Sequence, residues 1–117
     1  MRGLTVVAIR PGAVRAGLEL AAATAALGGR ARVFCQGEAV AALAPLRDPH
    51  DADHAACGLP TLAELFEEAL GLGVEIIACQ SGLMLMGVTA ELLDPRIGFG
   101  GPVGLLQSLG EDRLVTA

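Results

Sequence analysis

A chain of 117 residues with a net charge of -5 is one domain's worth of sequence, long enough to fold without disulfide staples. All eight cations are arginines, scattered with no basic stripe, which argues against nucleic acid as a partner. No apolar run approaches a membrane span, and Met1-Arg2-Gly3 leads into a strand pattern without a secretory leader. A soluble cytoplasmic protein without membrane contact is the expectation.

Leu4 to Ile9 is an apolar, β-branched run stopped by Arg10-Pro11-Gly12, and it predicts a buried strand. Ala13 to Leu27 is rich in Ala and Leu and predicts a helix ended by Gly28-Gly29. Ala31 to Cys35 predicts a second strand, and Gly37 to Ala44 a short helix ended before Pro45. Pro45 to Pro60 changes character and reads as a surface loop or flap. Thr61 and Glu64 form a capping box for a helix to about Leu70, with Leu62, Leu65, Phe66 and Ala69 on one face.

Val74 to Cys79 predicts a third strand. Gln80-Ser81-Gly82 reads as a turn, and Leu83 to Val88 as helix. Thr89 to Leu93 continues that helix or forms a second short one. Gly98 to Gly104 is glycine-rich, Leu105 to Leu109 helical, and Arg113 to Thr116 a last strand. Alternation of strands and helices predicts one α/β domain over residues 1–117. Its architecture is a three-layer sandwich with a mostly parallel four- or five-stranded sheet. With three Phe and no Tyr or Trp, the core must pack from small aliphatic side chains.

An odd cysteine count without a leader predicts free thiols. Sites in open parallel sheets gather at the carboxyl ends of strands, where Cys35 and Cys79 both fall. Cys79 also precedes a helix start, whose N–H groups from about Ser81 to Leu83 would stabilise a thiolate. Gly82 would let another molecule approach the backbone there. Cys35 reads as core. Cys57, beside His50 and His54 in the loop, is either a plain loop thiol or an auxiliary to Cys79. The His50, His54 and Cys57 spacing is tolerable for a metal, but the segment has no paired Cys-x-x-Cys, so a solvated, metal-free loop is expected. The Gly98-x-Gly100-Gly101-x-x-Gly104 run lacks the Lys-Ser/Thr of a phosphate loop and reads as a turn with close helix approach.

Cys79-Gln80-Ser81-Gly82-Leu83-Met84-Leu85-Met86-Gly87-Val88 resembles the Cys-x-x-Ser-Met-x-x-Met-Gly-Ile segment of the DsrE/DsrF-like sulfur-relay family. It departs in placing Ser81 one position early and in shifting the methionines. Val33-Phe34 with Gly37-Glu38-Ala39-Val40, and Gly100-Gly101-Pro102-Val103, also resemble segments of that family. The resemblance implies a three-layer α/β sandwich, a trimer or hexamer, and sulfur carried as a persulfide on Cys79. Donor and acceptor proteins would be the partners. No base is fixed near Cys79 by the sequence, which favours sulfur carriage over hydrolysis, and such transfer calls for no metal or organic cofactor. Two rivals stand: a structural subunit with an inert Cys79, and a thiol peroxidase-like protein. In the latter, Arg10 would reach in from the end of the first strand.

Overall fold

The computed structural model describes residues 1–117. Strands β1 (Leu4–Ala8), β2 (Ala31–Cys35) and β3 (Glu75–Cys79) form where the apolar β-branched runs lie. With β4 (Gly98–Gly100) and β5 (Arg113–Thr116) they make one five-stranded sheet, in the order β4-β3-β2-β1-β5. Every pair is parallel. All carboxyl ends therefore share one edge, and Cys35, Cys79 and the segment after β1 meet there.

Strand alternation divides the core in two. Val6, Ala8, Val33, Cys35, Ile76 and Ala78 share one face by register, and all are buried. That face is covered by α1 (Val14–Ala26) through Val14, Leu18 and Ala21. It is also covered by α3 (Leu62–Gly71) through Leu62, Leu65, Phe66 and Ala69, the stripe the periodicity predicts. The opposite face presents Val7, Phe34, Ile77 and Cys79. Only α5 (Pro102–Gln107) packs on it, through Leu105. This gives the three layers, with one outer layer thin.

At the far, amino-terminal ends of the strands, a polar cluster ties α5 and β5 to the sheet. Arg32 Nε donates to Thr5 Oγ1 at 3.0 Å, and one Arg32 terminal nitrogen donates to Ser108 Oγ at 2.7 Å. Thr5 in turn donates to Asp112 Oδ2 at 2.9 Å. Thr5, Arg32 and Asp112 are all buried.

The capping box at α3 is complete: Glu64 N–H donates to Thr61 Oγ1, and Thr61 N–H to Glu64 Oε1. Two otherwise orphaned donors are thereby satisfied. Thr61→Ala is expected to cost about 1 kcal/mol. Urea unfolding measures it, and an unchanged midpoint would show that the cap carries no stability.

Several expected boundaries need correction. The Pro45–Pro60 segment is not wholly loop: α2 (Asp51–Ala56) occupies its middle. Asp51 folds it back, accepting from the amides of Asp48 and Leu62. Gly98–Gly100 is a strand, although two of its three residues are glycine, because β3 supplies a partner. The helix expected at Leu105 to Leu109 begins earlier, at Pro102, whose fixed φ and missing N–H suit a first turn. Gln80-Ser81-Gly82 is no separate turn but the opening of α4 (Gln80–Met86). The segment from Gly37 to Ala42 is a 3-10 helix, and further 3-10 turns lie before α1 at Pro11–Ala13 and after α4 at Ala90–Leu92.

Candidate functional site

β3 runs into α4 with no intervening residue, so Cys79 is the N-cap, extended at φ -69 and ψ 124. A side chain at an N-cap lies against the free N–H groups of the first turn. Here that side chain is a thiol. Cys79 is 1% exposed and packs with Phe34, Ile77 and Leu105. Its Sγ lies 3.1 Å from Ser81 Oγ, its one close polar partner.

Two opposing effects set its acidity. Burial, the largest single influence, raises the thiol pKa. The Ser81 hydroxyl lowers it, and so do the backbone N–H groups of Gly82, Ser81 and Gly37, at a looser geometry. The lowering effects together prevail, and the thiol ionises below its ordinary value. Every stabilising group is a dipole rather than a charge. Arg10, exposed after β1, makes no hydrogen bond or ion pair with Cys79 and is not among the groups that lower its pKa.

Gly82 acts differently from the sequence expectation. It is buried, and a Cβ there would stand 2.6 Å from Gly37 O and 2.9 Å from Gly37 N. The space its missing side chain leaves is filled by the protein's own Gly37, not by an incoming molecule. Gly37 itself holds φ +58, a left-handed conformation suited to glycine. The sequence expectation gives Gly37 a helix start but no role at the site. The available signal was its position just past β2, on the same sheet edge as Cys79 and one strand away.

The other thiols separate cleanly. Cys35 pairs with Ala78 in register, so it faces α1 and α3, opposite to Cys79. It is wholly buried, and desolvation pushes its thiol up to about 12. Cys57 is exposed at the carboxyl end of α2, and nothing in the hydrogen-bond network joins it to Cys79. On the same helix, His54 Nδ1 lies 2.7 Å from the His50 carbonyl and His50 Nδ1 3.4 Å from Asp53 Oδ2. No three His, Cys, Asp or Glu side chains gather as a metal site.

The glycine-rich segment does not make the close helix approach expected of it. A Cβ at Gly101 or Gly104 would meet nothing within 4 Å. These glycines instead border an open cavity of about 270 Å³, with Phe34 and Ile77 in its wall and Arg32, Glu75 and Ser108 also lining it. On α4, Leu83 is core, whereas Met84, Leu85 and Met86 are exposed apolar side chains. No helix is long and apolar enough to cross a membrane.

Comparison with known proteins adds to this geometry. Residues 4–116 match the family described as DsrE/DsrF-like. No curated protein matches the sequence. Among solved structures, the ychN protein from E. coli is similar at TM-score 0.77 and 20% identity, covering 100% of both chains. MTH1491 from Methanobacterium thermoautotrophicum, described as of unknown function, is similar at TM-score 0.66 and 16% identity, again over 100% of both. BT1422 from Bacteroides thetaiotaomicron, also described as of unknown function, is similar at TM-score 0.70 and 18% identity, over 98% of this chain and 94% of the other. These likenesses concern the fold.

Proposed function

The chain belongs to the DsrE/DsrF-like family, and from that membership and the Cys79 surroundings we propose that it is a sulfur carrier of the sulfurtransferase type. The carrying observation is a thiol held below its ordinary pKa by a hydroxyl and three N–H groups. The Cys79 thiolate attacks the outer sulfur of a donor persulfide. A new S–S bond forms on Cys79, the donor's S–S bond breaks, and the donor leaves as a thiolate that takes up a proton. An acceptor thiolate then attacks the outer sulfur and releases Cys79 as thiolate. Sulfur oxidation states balance across the two exchanges, so neither an external oxidant nor a cofactor enters. N–H dipoles suit both the thiolate and the persulfide anion without supplying a proton at the wrong moment.

The partners in this reading are cytoplasmic sulfur-donor and sulfur-acceptor proteins, and the single 1–117 domain assembles as a homo-trimer or homo-hexamer. Exposed Met84, Leu85 and Met86 beside the site, with Val103 and Leu106 on α5, supply apolar surface for such contacts. A second reading, a subunit whose Cys79 is structural, draws on that residue's burial. The peroxidase reading is the weaker rival, since Arg10 makes no contact with the thiol.

One assay separates the three. The protein is given limiting polysulfide or limiting peroxide, and Cys79 is followed by intact mass. The expected result is the mass of one or more added sulfur atoms, removed by a thiol reductant and absent from Cys79→Ser. Fast peroxide turnover without an adduct would reject the carrier. An inert Cys79 under both treatments would support the structural subunit.

A further inference from the structure

The turn after β2 closes over the site, and its Gly37 N–H, which has no backbone acceptor, lies toward the Cys79 sulfur. The neighbouring Gln36 N–H is already spent on Ala8 O at 2.9 Å, and the Gln36 carbonyl on the Ala39 amide. Ala39 and Val40 anchor the rest of the 3-10 turn in the core. Gly37 is thus fixed from both sides, yet keeps its own donor free. What sets its distance from the sulfur is the contact with Gly82, where no side chain fits.

We propose that Gly82 is a positioning residue: its bare Cα seats the Gly37 peptide against Cys79, so that an amide from the β2 crossover completes the thiolate's donor set. Two separate stretches of chain then hold one sulfur. This rests on Cys79 being the reacting thiol, and it goes beyond the N–H groups that any helix start would supply. The surroundings leave little else to move the titration. Phe34, Ile77 and Leu105 face the sulfur and do not ionise. α4, β4 and α5 carry no ionisable side chain. Cys35 and Arg32 of β2 lie on the opposite face and at the far end, and Glu75 lies at the start of β3. The 3-10 turn carries Glu38, and Arg10 follows β1; neither acts on the thiol.

The sign of the effect follows from the donor that is lost. The Gly37 N–H lowers the thiol pKa, so displacing it from the closed site moves the value upward, whereas water admitted in its place would relieve burial and oppose that rise. In Gly82→Ala the new Cβ forces Gly37 away.

The test uses the Cys57→Ser background. Amide shifts are followed by NMR against pH, beside the pH profile of Cys79 alkylation. The Gly37 amide proton is expected to move downfield as Cys79 ionises, in the same direction as those of Ser81 and Gly82 and with the alkylation midpoint. The movement disappears in Cys79→Ser. Gly82→Ala raises the alkylation midpoint by about half a unit or more. A Gly37 amide that stays flat in the parent, or still titrates in Cys79→Ser, would overturn the proposal even if Gly82→Ala does not fold. Neither measurement involves sulfur transfer, so a failure to load persulfide leaves this result standing, and the reverse also holds.

Discussion

Native protein treated at pH 7 with a small electrophile such as iodoacetamide is expected to react at Cys79 at least about 30-fold faster than at Cys35. Both thiols end a strand on one edge, and both are buried, so position and exposure do not separate them. Their surroundings do. Cys35 lies in the apolar core, and with its thiol pushed up to about 12 its thiolate fraction at pH 7 is on the order of 10⁻⁵. The Cys79 pKa is lowered, so its thiolate fraction exceeds that of an ordinary thiol, which is on the order of 10⁻² at pH 7. The ratio of about 10³ is then reduced by about 10- to 30-fold, because a more basic thiolate is the better nucleophile. Single-cysteine variants, alkylated over a pH series, give the two rates directly. Comparable rates for Cys35 and Cys79 would remove the physical basis for assigning the chemistry to Cys79. Reagent size adds a check: a bulky reagent is expected to reach exposed Cys57 first, and a small one Cys79 first at pH 6.

What the sequence disclosed about this site, and what it did not, follows from the range of the forces involved. The place of Cys79 at a strand-to-helix junction was legible because its signals are local: a β-branched run, a thiol at its end, then a helix. The α3 cap was legible for the same reason, since Thr61 and Glu64 are three residues apart. The sheet of parallel strands followed from alternation, but its order β4-β3-β2-β1-β5 did not, because pairing is between segments distant in sequence. β4 escaped notice because Gly98, Phe99 and Gly100 have little intrinsic strand preference, and tertiary pairing with β3 overrides that. α2 was hidden between prolines and glycines, and its start depends on Asp51 reaching across to Leu62. The role of Gly82 was misassigned for a related reason. The sequence shows that a glycine permits close approach, but only the fold shows that Gly37 is what approaches.

At the opposite end of the sheet, Asp112→Ala is expected to cost about 2–4 kcal/mol, the largest stability loss among the substitutions considered. Asp112 lies just before β5 and is buried. Its Oδ2 accepts from Thr5 at 2.9 Å and from Arg30 at 2.7 Å, and Arg32 Nε stands 3.7 Å away. Removing the carboxylate leaves the Arg32 guanidinium buried without its counter-charge and the Thr5 hydroxyl without its acceptor. Such uncompensated burial costs more than the loss of a surface pair. Arg30 is half exposed, which places the estimate below that for a fully enclosed triad. The pH dependence has a definite sign. Burial raises the Asp112 carboxyl pKa, the Arg30 and Thr5 hydrogen bonds and the two arginine charges lower it, and the net shift is downward. A carboxyl depressed in the folded state adds stability that is fully present above the ordinary carboxylate range and is lost as pH falls through the folded value. Urea unfolding of the parent and of Asp112→Asn should therefore differ most at pH 7, with the gap closing below about pH 4. A gap that stays constant down to pH 3 would show that the side chain acts by shape rather than charge. The cluster binds β1, β2, β5 and α5 together at the ends of the strands remote from Cys79. Its loss is therefore expected to lower the unfolding midpoint while leaving the pH midpoint of Cys79 alkylation where it was.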